Sequence, residues 1–321
     1  MFNAYYDKKR FKFIHHDLLG SDLVKNYHDT TLIPKTGVFI GDNINLYIDT
    51  SDGVNEDLQI HEYCGRIKRV VNDCKGKPFL FFKSAYSDKW TKKIEKIAKN
   101  NNGKVIPFFK WSFNENFYQN LLGNRKKIVE KYRVEKKEFD IGVFFHEKPY
   151  CYPKPSEFDN DISFSDHQKF NIVGNSRKTG YYDIHSRKNL IKKLKNSDFK
   201  VLHSGTSFNE YIKNSFKCKV IINPPGIGEY TSRMVDQTYL GNCIVLRKNS
   251  YDNGLSWKPY IPEINFKSEN WKKDMAHIIE NYDLHAEKCK NYYENFWNPE
   301  SIVNYLIGKT EKWMKILTLK T

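Results

Sequence analysis

The chain of 321 residues has no long apolar run and nothing that resembles a secretion signal. A membrane-spanning helix needs ~20 consecutive apolar residues, and no stretch approaches that length. Residues 1–17, MFNAYYDKKRFKFIHHD, lack the apolar core that a signal peptide requires. We therefore expect no membrane span and no standard secretory route.

Cysteine is scarce and scattered. The six cysteines stand at positions 64, 74, 151, 218, 243 and 289, without a CxxC pair. This spacing argues against a disulfide framework and a cysteine-based zinc site, and it favours a reduced, cytoplasmic setting. Cys218 and Cys243 lie in apolar segments and are expected to be small buried residues.

Positive charge is plentiful but is not gathered in one tail. The formal net charge is +15; residues 1–138 hold 26 basic and 17 acidic side chains, and the remainder holds 27 and 21. Such a distribution favours phosphates and polyanions through electrostatic steering. A nucleic-acid surface more often shows one concentrated stripe, although DNA stays open as a partner.

Short apolar segments alternate with amphipathic helical patterns through the first half. Strands are predicted at 37–40, 45–48, 78–83 and 105–109, with helices around 60–71, 87–103 and 114–132. Strands separated by single helices predict right-handed βαβ units and a parallel sheet.

The charged stretch 126–138, KKIVEKYRVEKKE, has no apolar run and predicts a boundary between domains 1–138 and 139–321. The second half repeats the alternation, with strands predicted at 139–145, 199–203, 219–223 and 243–247 and helices at 186–196, 231–240, 268–280 and 283–296. Pro299 suits the first turn of a last helix, 299–318.

The most informative segment is 218–246, CKVIINPPGIGEYTSRMVDQTYLGNCIVL. It predicts an apolar strand, a Pro/Gly loop with Gly226 and Gly228, a helix and a second apolar strand. A helix N-terminus offers unpaired N–H groups and a partial positive charge to a phosphate, and Arg233 adds charged donors there. Asp236, nearly one turn later, could accept hydrogen bonds from a ribose diol.

This order of residues resembles the donor-binding segment of glycosyltransferases with two Rossmann-like domains, the GT-B fold. The matching residues are Gly226, Gly228, Ser232, Arg233, Asp236, Gly241 and the strand 243–246. More narrowly, the segment is similar to exostosin-like transferases, including those of large DNA viruses. Many relatives have Glu where this chain has Asp236, so the reach to a ribose is shorter by one methylene.

The resemblance implies an α/β protein whose two Rossmann-like domains face each other across a cleft, with a last helix that could cross back to the first domain. It implies a hexosyl- or pentosyltransferase that uses a nucleotide-sugar donor and a glycan or glycoconjugate acceptor. No cofactor and no metal are expected, and the location would be cytoplasmic, or the host cytoplasm for a viral protein.

The donor site is expected to combine backbone N–H groups with a few side chains. The residues assigned to it are Gly226, Gly228, Tyr230, Thr231, Ser232, Arg233 and Asp236, with Arg177 or Lys178 on the second phosphate and His203 at the nucleobase or ribose. Arg233 would also act in catalysis by stabilising the charge that develops on the leaving diphosphate.

The acceptor base is expected from the first domain. Asp49 and Asp52 lie in the second half of the segment LYIDTSD, where a predicted strand ends. Open α/β sheets place their ligand-contacting loops at such strand ends. Asp52 is preferred because Gly53 permits a sharp turn there. His15, His16 and Asp17 form a lesser alternative.

Less specific interpretations stay open. Arg233 and Asp236 could be a solvated i,i+3 pair, Asp52 could be a helix cap, and the pair Asp159 and Asp161 is interpreted as a solvated loop rather than a metal site. The alternative functions are a DNA-modifying glycosyltransferase that acts on hydroxylated bases, and a basic binding protein without turnover.

Overall fold

The computed structural model describes residues 1–11, 14–33, 36–49, 67–83, 88–108, 125–134, 136–144, 184–203, 208–223, 232–247 and 260–319. The strands among them form two separate sheets, one of six strands and one of five. The predicted α/β class is therefore confirmed.

The first sheet is built by the N-terminal part of the chain. Its elements are β1 (Phe2–Tyr5), α1 (Lys8–Phe11), α2 (His15–Gly20), β2 (Val24–His28), β3 (Thr36–Ile40), β4 (Asn45–Asp49), α3 (67–74), β5 (Phe79–Lys83), α4 (Asp88–Lys99) and β6 (Gly103–Pro107). The strand order is β2-β1-β3-β4-β5-β6. Apolar side chains on both faces of this sheet are buried in two separate clusters.

The expectation of a wholly parallel first sheet was wrong at one strand. β3 pairs antiparallel with both β1 and β4, whereas the other neighbours are parallel. Residues 41–44 close a tight turn in which the Gly41 N–H donates to the Ile44 carbonyl, and so short a link cannot make a parallel crossover. Since only β3 is reversed, the carboxyl ends of β1, β2, β4, β5 and β6 lie at one edge of the sheet.

The second sheet follows a short helix, α5 (Arg125–Tyr132). Its elements are β7 (Phe139–Val143), α6 (Ile184–Lys195), β8 (Val201–His203), α7 (Phe208–Ser215), β9 (Cys218–Asn223), α8 (Ser232–Leu240), β10 (Cys243–Arg247), β11 (Glu263–Ile264), α9 (Trp271–Glu280), α10 (Tyr282–Tyr292), a π-helical turn (Tyr293–Trp297) and α11 (Pro299–Thr318). The order is β11-β10-β9-β7-β8, and every pairing is parallel. Its strands are nearly continuous apolar runs because both faces are buried.

This strand order contains a topological switch point between β7 and β9. The chain leaves β7 for β8 on one side and leaves β9 for β10 on the other. In open α/β sheets the crevice outside the carboxyl ends at such a point is the usual ligand site. β9 ends at Asn223, and the next described element, α8, begins at Ser232, so the described parts of segment 218–246 border this crevice.

The last helix, α11, packs on the first sheet, as the sequence analysis suggested. Ile302, Val303 and Leu306 share a buried cluster with Phe2 and Leu80. Asn298 caps the helix by accepting a hydrogen bond from the Ser301 N–H at 2.8 Å. The chain therefore crosses back after completing the second sheet.

Helix α5 shows the converse arrangement. It precedes position 138 in the chain, but its Ile128 is buried in the core of the second sheet. The domain boundary at 138 stays a prediction. In the described part of the chain, no helix is both long and apolar enough to span a bilayer.

Candidate functional site

Helix α8 directs its first turn toward the carboxyl end of β9. Its body is held by buried side chains, among them Met234, Val235 and Tyr239. It ends at Gly241, whose φ of +74° is a left-handed conformation that glycine adopts without steric cost. Because β10 begins at Cys243, the helix is fixed between two buried parallel strands, and the N–H groups of its first turn lie at the switch-point crevice.

Arg233 lies in the first turn of α8 and is only partly exposed. Its Nη1 atom is buried and has no hydrogen-bond partner among the residues that the structure describes. A buried donor without a partner is unfavourable, and more so when it carries charge. An anion bound at this helix terminus would supply the missing acceptor.

Asp236 follows one turn later and is 5% exposed. Burial raises the pKa of the neighbouring Tyr211 hydroxyl well above its usual range, and the Asp236 carboxylate adds to that rise while Arg233 opposes it. Tyr211, Asp236 and Arg233 therefore belong to one electrostatic environment. The interpretation of Arg233 and Asp236 as a fully solvated surface pair does not fit this burial.

A buried amide network supports the same helix. The Asn242 Nδ2 group donates to Gln237 Oε1 at 2.7 Å and to Ser215 Oγ at 3.2 Å, and all three side chains are buried. It joins the end of α8 to α7, the helix that carries Tyr211. These supporting residues were not predicted from the sequence, in which the polar run 236–238 between Val235 and Tyr239 was the available signal.

The structure describes only some of the remaining donor-site candidates. His203 ends β8 beside Val143 of β7, so it lies at the same carboxyl edge and is half exposed. Ser232 begins α8. The other assigned residues, Gly226, Gly228, Tyr230, Thr231, Arg177 and Lys178, lie outside the described residues. Their roles, like that of His203, stay predictions.

Asp49 and Lys83 end the neighbouring strands β4 and β5 of the first sheet. The Lys83 ammonium lies 2.6 Å from the Asp49 carboxylate, with 2% and 0% of the two side chains exposed. Asp49 is thus held by a buried cation rather than presented to solvent. Asp52 lies outside the described residues, so the assignment of either residue as the base stays a prediction.

A second titratable cluster follows β1 at the same edge. His15 is 4% exposed, and its Nδ1 lies 3.1 Å from the Tyr6 hydroxyl. Burial lowers the pKa of His15, and the nearby Lys8 and His16 lower it further, so the imidazole is neutral near pH 7. Burial raises the pKa of Asp17. His15 is therefore a neutral, enclosed imidazole, while His16 is exposed.

Within the described ranges, no group of three or more His, Cys, Asp and Glu side chains is close enough to hold a metal ion. Asp159 and Asp161 are not among those residues. Arg233 lies in the first turn of α8.

Comparison with known proteins gives only distant similarities. No protein-family model and no curated protein matches the chain. Among solved structures, it is similar to sucrose-phosphate synthase from Thermosynechococcus elongatus, with a TM-score of 0.43 and 10% identity over 84% of this chain and 68% of that one. It is also similar to a glycosyltransferase from Rickettsia africae ESF-5, with a TM-score of 0.33 and 12% identity over 83% and 84% of the two chains. Both TM-scores are below 0.5 and do not decide the function.

Proposed function

We propose that this chain is a glycosyltransferase that moves a hexosyl or pentosyl group from a nucleotide-diphosphate sugar to a hydroxyl group of a glycan or glycoconjugate. The observation that carries the proposal is the buried, unpartnered Nη1 of Arg233 at the start of α8, within the described residues. The switch-point crevice, the helix N-terminus and the guanidinium together favour a diphosphate ligand.

The chemistry requires charge stabilisation on the leaving group. The acceptor oxygen attacks the anomeric carbon, the bond from that carbon to the phosphate oxygen breaks, and the acceptor proton passes to a base. Arg233 and the N–H groups of the first turn of α8 would stabilise the negative charge that develops on the diphosphate. This guanidinium supplies the charge that a metal provides in other transferases, so the proposed reaction is metal-independent.

Asp236 would bind the ribose of the donor, and the acceptor would approach from the carboxyl edge of the first sheet. Asp52 is the proposed base. The described cysteines Cys74, Cys218, Cys243 and Cys289 are buried free thiols, which supports the proposed location in a reduced, cytoplasmic compartment.

The direct test is a thermal-shift screen of the full chain against UDP-, GDP- and TDP-sugars, with a CMP-sugar, which carries a single phosphate, as the comparison. A ligand present at 100 times its Kd adds about 2.7 kcal/mol of stability, so the matching nucleotide should raise the melting temperature clearly. The donor identified in this way is then incubated with glycan acceptors, with and without EDTA. Transfer that persists in EDTA supports the proposal.

Failure at different steps has different meanings. Absence of stabilisation by every nucleotide sugar would refute the diphosphate site. Binding without transfer or hydrolysis would favour the non-catalytic alternative, and activity lost in EDTA would contradict metal independence.

A further inference from the structure

The end of α11 extends past the amino edge of the first sheet. The Tyr305 hydroxyl donates to the Pro107 carbonyl at 2.7 Å, at the carboxyl end of β6, and the Lys104 ammonium near the other end lies 5.5 Å from the centre of the Trp313 ring. α11 therefore runs antiparallel to β6. At 1.5 Å per residue, the turns after Trp313 project about 8 Å beyond it.

This projecting end carries further apolar side chains after the core has ended. Ile302, Val303 and Leu306 are buried, whereas Met314 is 40% exposed and Leu319 is 87% exposed. Ile316 and Leu317 are half buried. The apolar side chains thus continue along the helix to a place where the described residues only partly cover them.

Lysine side chains are frequent at the same end of the first sheet, on both of its faces. The amino edge of the first sheet carries exposed lysines before β5, at the end of α4, in β6 and on α11: Lys75, Lys77, Lys99, Lys104, Lys312 and Lys315. Among the described residues, the acidic side chains near this edge include Asp22, Asp42, Glu311 and Asp73, the last of which accepts a hydrogen bond from the Tyr47 hydroxyl. The described part of this edge is therefore basic, and Lys104, Lys312 and Lys315 lie beside or on the apolar end of α11.

We infer that this amino-edge surface, formed by Met314, Leu319, Lys312, Lys315 and Lys104, docks on an anionic lipid bilayer. Exposed apolar residues flanked by lysines match the boundary between acyl chains and negatively charged headgroups. A symmetric contact with a second copy of the chain would bring lysines against lysines, and a nucleic acid would provide no apolar phase for Met314 and Leu319. The lipid surface is the partner that fits both features.

The orientation leaves the rest of the protein accessible. The amino-edge surface lies at the opposite end of the first sheet from the edge that holds Asp49 and Lys83. Docking on a bilayer would therefore keep the carboxyl edge directed away from the lipid. This inference does not depend on the proposed glycosyl transfer.

The test is sedimentation of the full chain with phosphatidylcholine vesicles that do or do not contain phosphatidylserine. We expect binding only to the anionic vesicles. Each lysine near such a surface is worth about fivefold in partitioning, so Lys312→Glu with Lys315→Glu should reduce binding by more than about tenfold. Met314→Asp with Leu319→Asp should reduce it to a similar extent.

Lys213→Glu with Lys273→Glu is the matched control, because these exposed lysines lie on α7 and α9 and the pair changes the net charge equally. This control should bind nearly as the parent does. No binding of the parent protein to anionic vesicles would overturn the inference. Equal losses in the control and in the Lys312/Lys315 variant would also overturn it, as would unaltered binding of the Met314/Leu319 variant. Self-association that the Met314/Leu319 variant abolishes, without vesicle binding, would replace the lipid with a second copy.

Discussion

The ammonium nitrogen of Lys83 lies 2.6 Å from a carboxylate oxygen of Asp49, and 2% and 0% of the two side chains are exposed. The residues end adjacent parallel strands, β4 and β5. Removing both charges from water is costly, and the short contact offsets that cost only while both partners are present. The ion pair therefore says more about how the two strand ends are arranged than about how much it stabilises the fold.

Replacement of one partner should be much more harmful than replacement of both. Lys83→Met would leave the Asp49 carboxylate buried without its ammonium partner, and we expect a loss of about 3–5 kcal/mol in the free energy of unfolding. The double variant Lys83→Met with Asp49→Leu should lose less than Lys83→Met alone. Urea denaturation monitored by circular dichroism measures both values.

The matched control is Lys25→Met, since Lys25 is an exposed lysine on β2. Its effect should stay within about 0.5 kcal/mol. A Lys83→Met variant as stable as this control would show that the ion pair does not hold the edge.

Arg233→Ala should lower turnover without unfolding the protein. Loss of one charged contact to the developing diphosphate costs about 3 kcal/mol, roughly a hundredfold in kcat. Arg133→Ala is the control, because Arg133 is an exposed arginine after α5. Steady-state kinetics with the donor identified by thermal shift measure the effect, with the melting temperature as the check on folding. Near-normal turnover would remove Arg233 from the site.

Asp236→Asn should weaken nucleotide binding through the ribose. A hydrogen bond to a charged group contributes about 1.5–3 kcal/mol, so we expect the Kd of the free nucleotide to rise by about tenfold or more. Calorimetry with the 2′,3′-dideoxy form of the same nucleotide shows whether the lost affinity comes from the contact with the ribose diol. The parent protein should bind that form weakly, and the variant should bind it no more weakly than the parent. If the variant loses equal affinity for both forms, Asp236 does not recognise the diol.

His15 predicts a pH dependence of stability with a definite sign. Its folded pKa lies below its unfolded value of 6.5 because burial, Lys8 and His16 oppose protonation, while Asp29 acts in the other direction. The unfolded chain therefore binds more protons as the pH falls below 6.5, and the contribution of His15 to stability is lost there. Urea denaturation from pH 7.5 to pH 5 should show a shallower decline for His15→Gln than for the parent.

His285 is the control for this experiment, because burial also lowers its pKa. His285→Gln should likewise make the decline in stability with falling pH shallower, by an amount independent of His15. If the His15→Gln curve runs parallel to that of the parent at every pH, the imidazole does not titrate as the structure indicates.

Sequence patterns predicted the second sheet better than the first. The strand predicted at 243–247 is the observed Cys243–Arg247, because a continuous apolar run bounded by Gly241 is a strong local signal. β1 and β2 were missed because Asn3, Lys25 and Asn26 interrupt their apolar patterns. The direction of β3 depends on the turn at 41–44, which local periodicity does not reveal.

The order of Gly226, Gly228, Arg233 and Asp236 predicted a donor segment, but the burial of Asp236 and of the Arg233 Nη1 atom was not predictable. It depends on how α8 packs near Tyr211 of α7, which is distant in sequence. The contact between Lys83 and Asp49 spans 34 positions and requires the register between β4 and β5. Pairings of this kind are properties of the assembled sheet.

The crossing helix gives the last prediction, which concerns the dependence of the first sheet on residues near the end of the chain. Leu306 of α11 is fully buried in the cluster that contains Phe2 and Leu80. Leu306→Ala removes apolar contacts and leaves a cavity, so we expect a loss of about 2–5 kcal/mol. Hydrogen exchange should show the loss of protection in β1 and β5 rather than in β9 and β10.

Leu284→Ala is the matched control, since Leu284 on α10 is 51% exposed. It should change stability by less than about 0.5 kcal/mol. If Leu306→Ala reduced protection equally in both sheets, the two would unfold as one cooperative unit. If it left β1 and β5 fully protected, the contact of α11 with the first core would be too weak to matter. The packing of Ile302, Val303 and Leu306 against the first sheet predicts neither result, because deletion of a buried side chain first weakens the strands that it contacts.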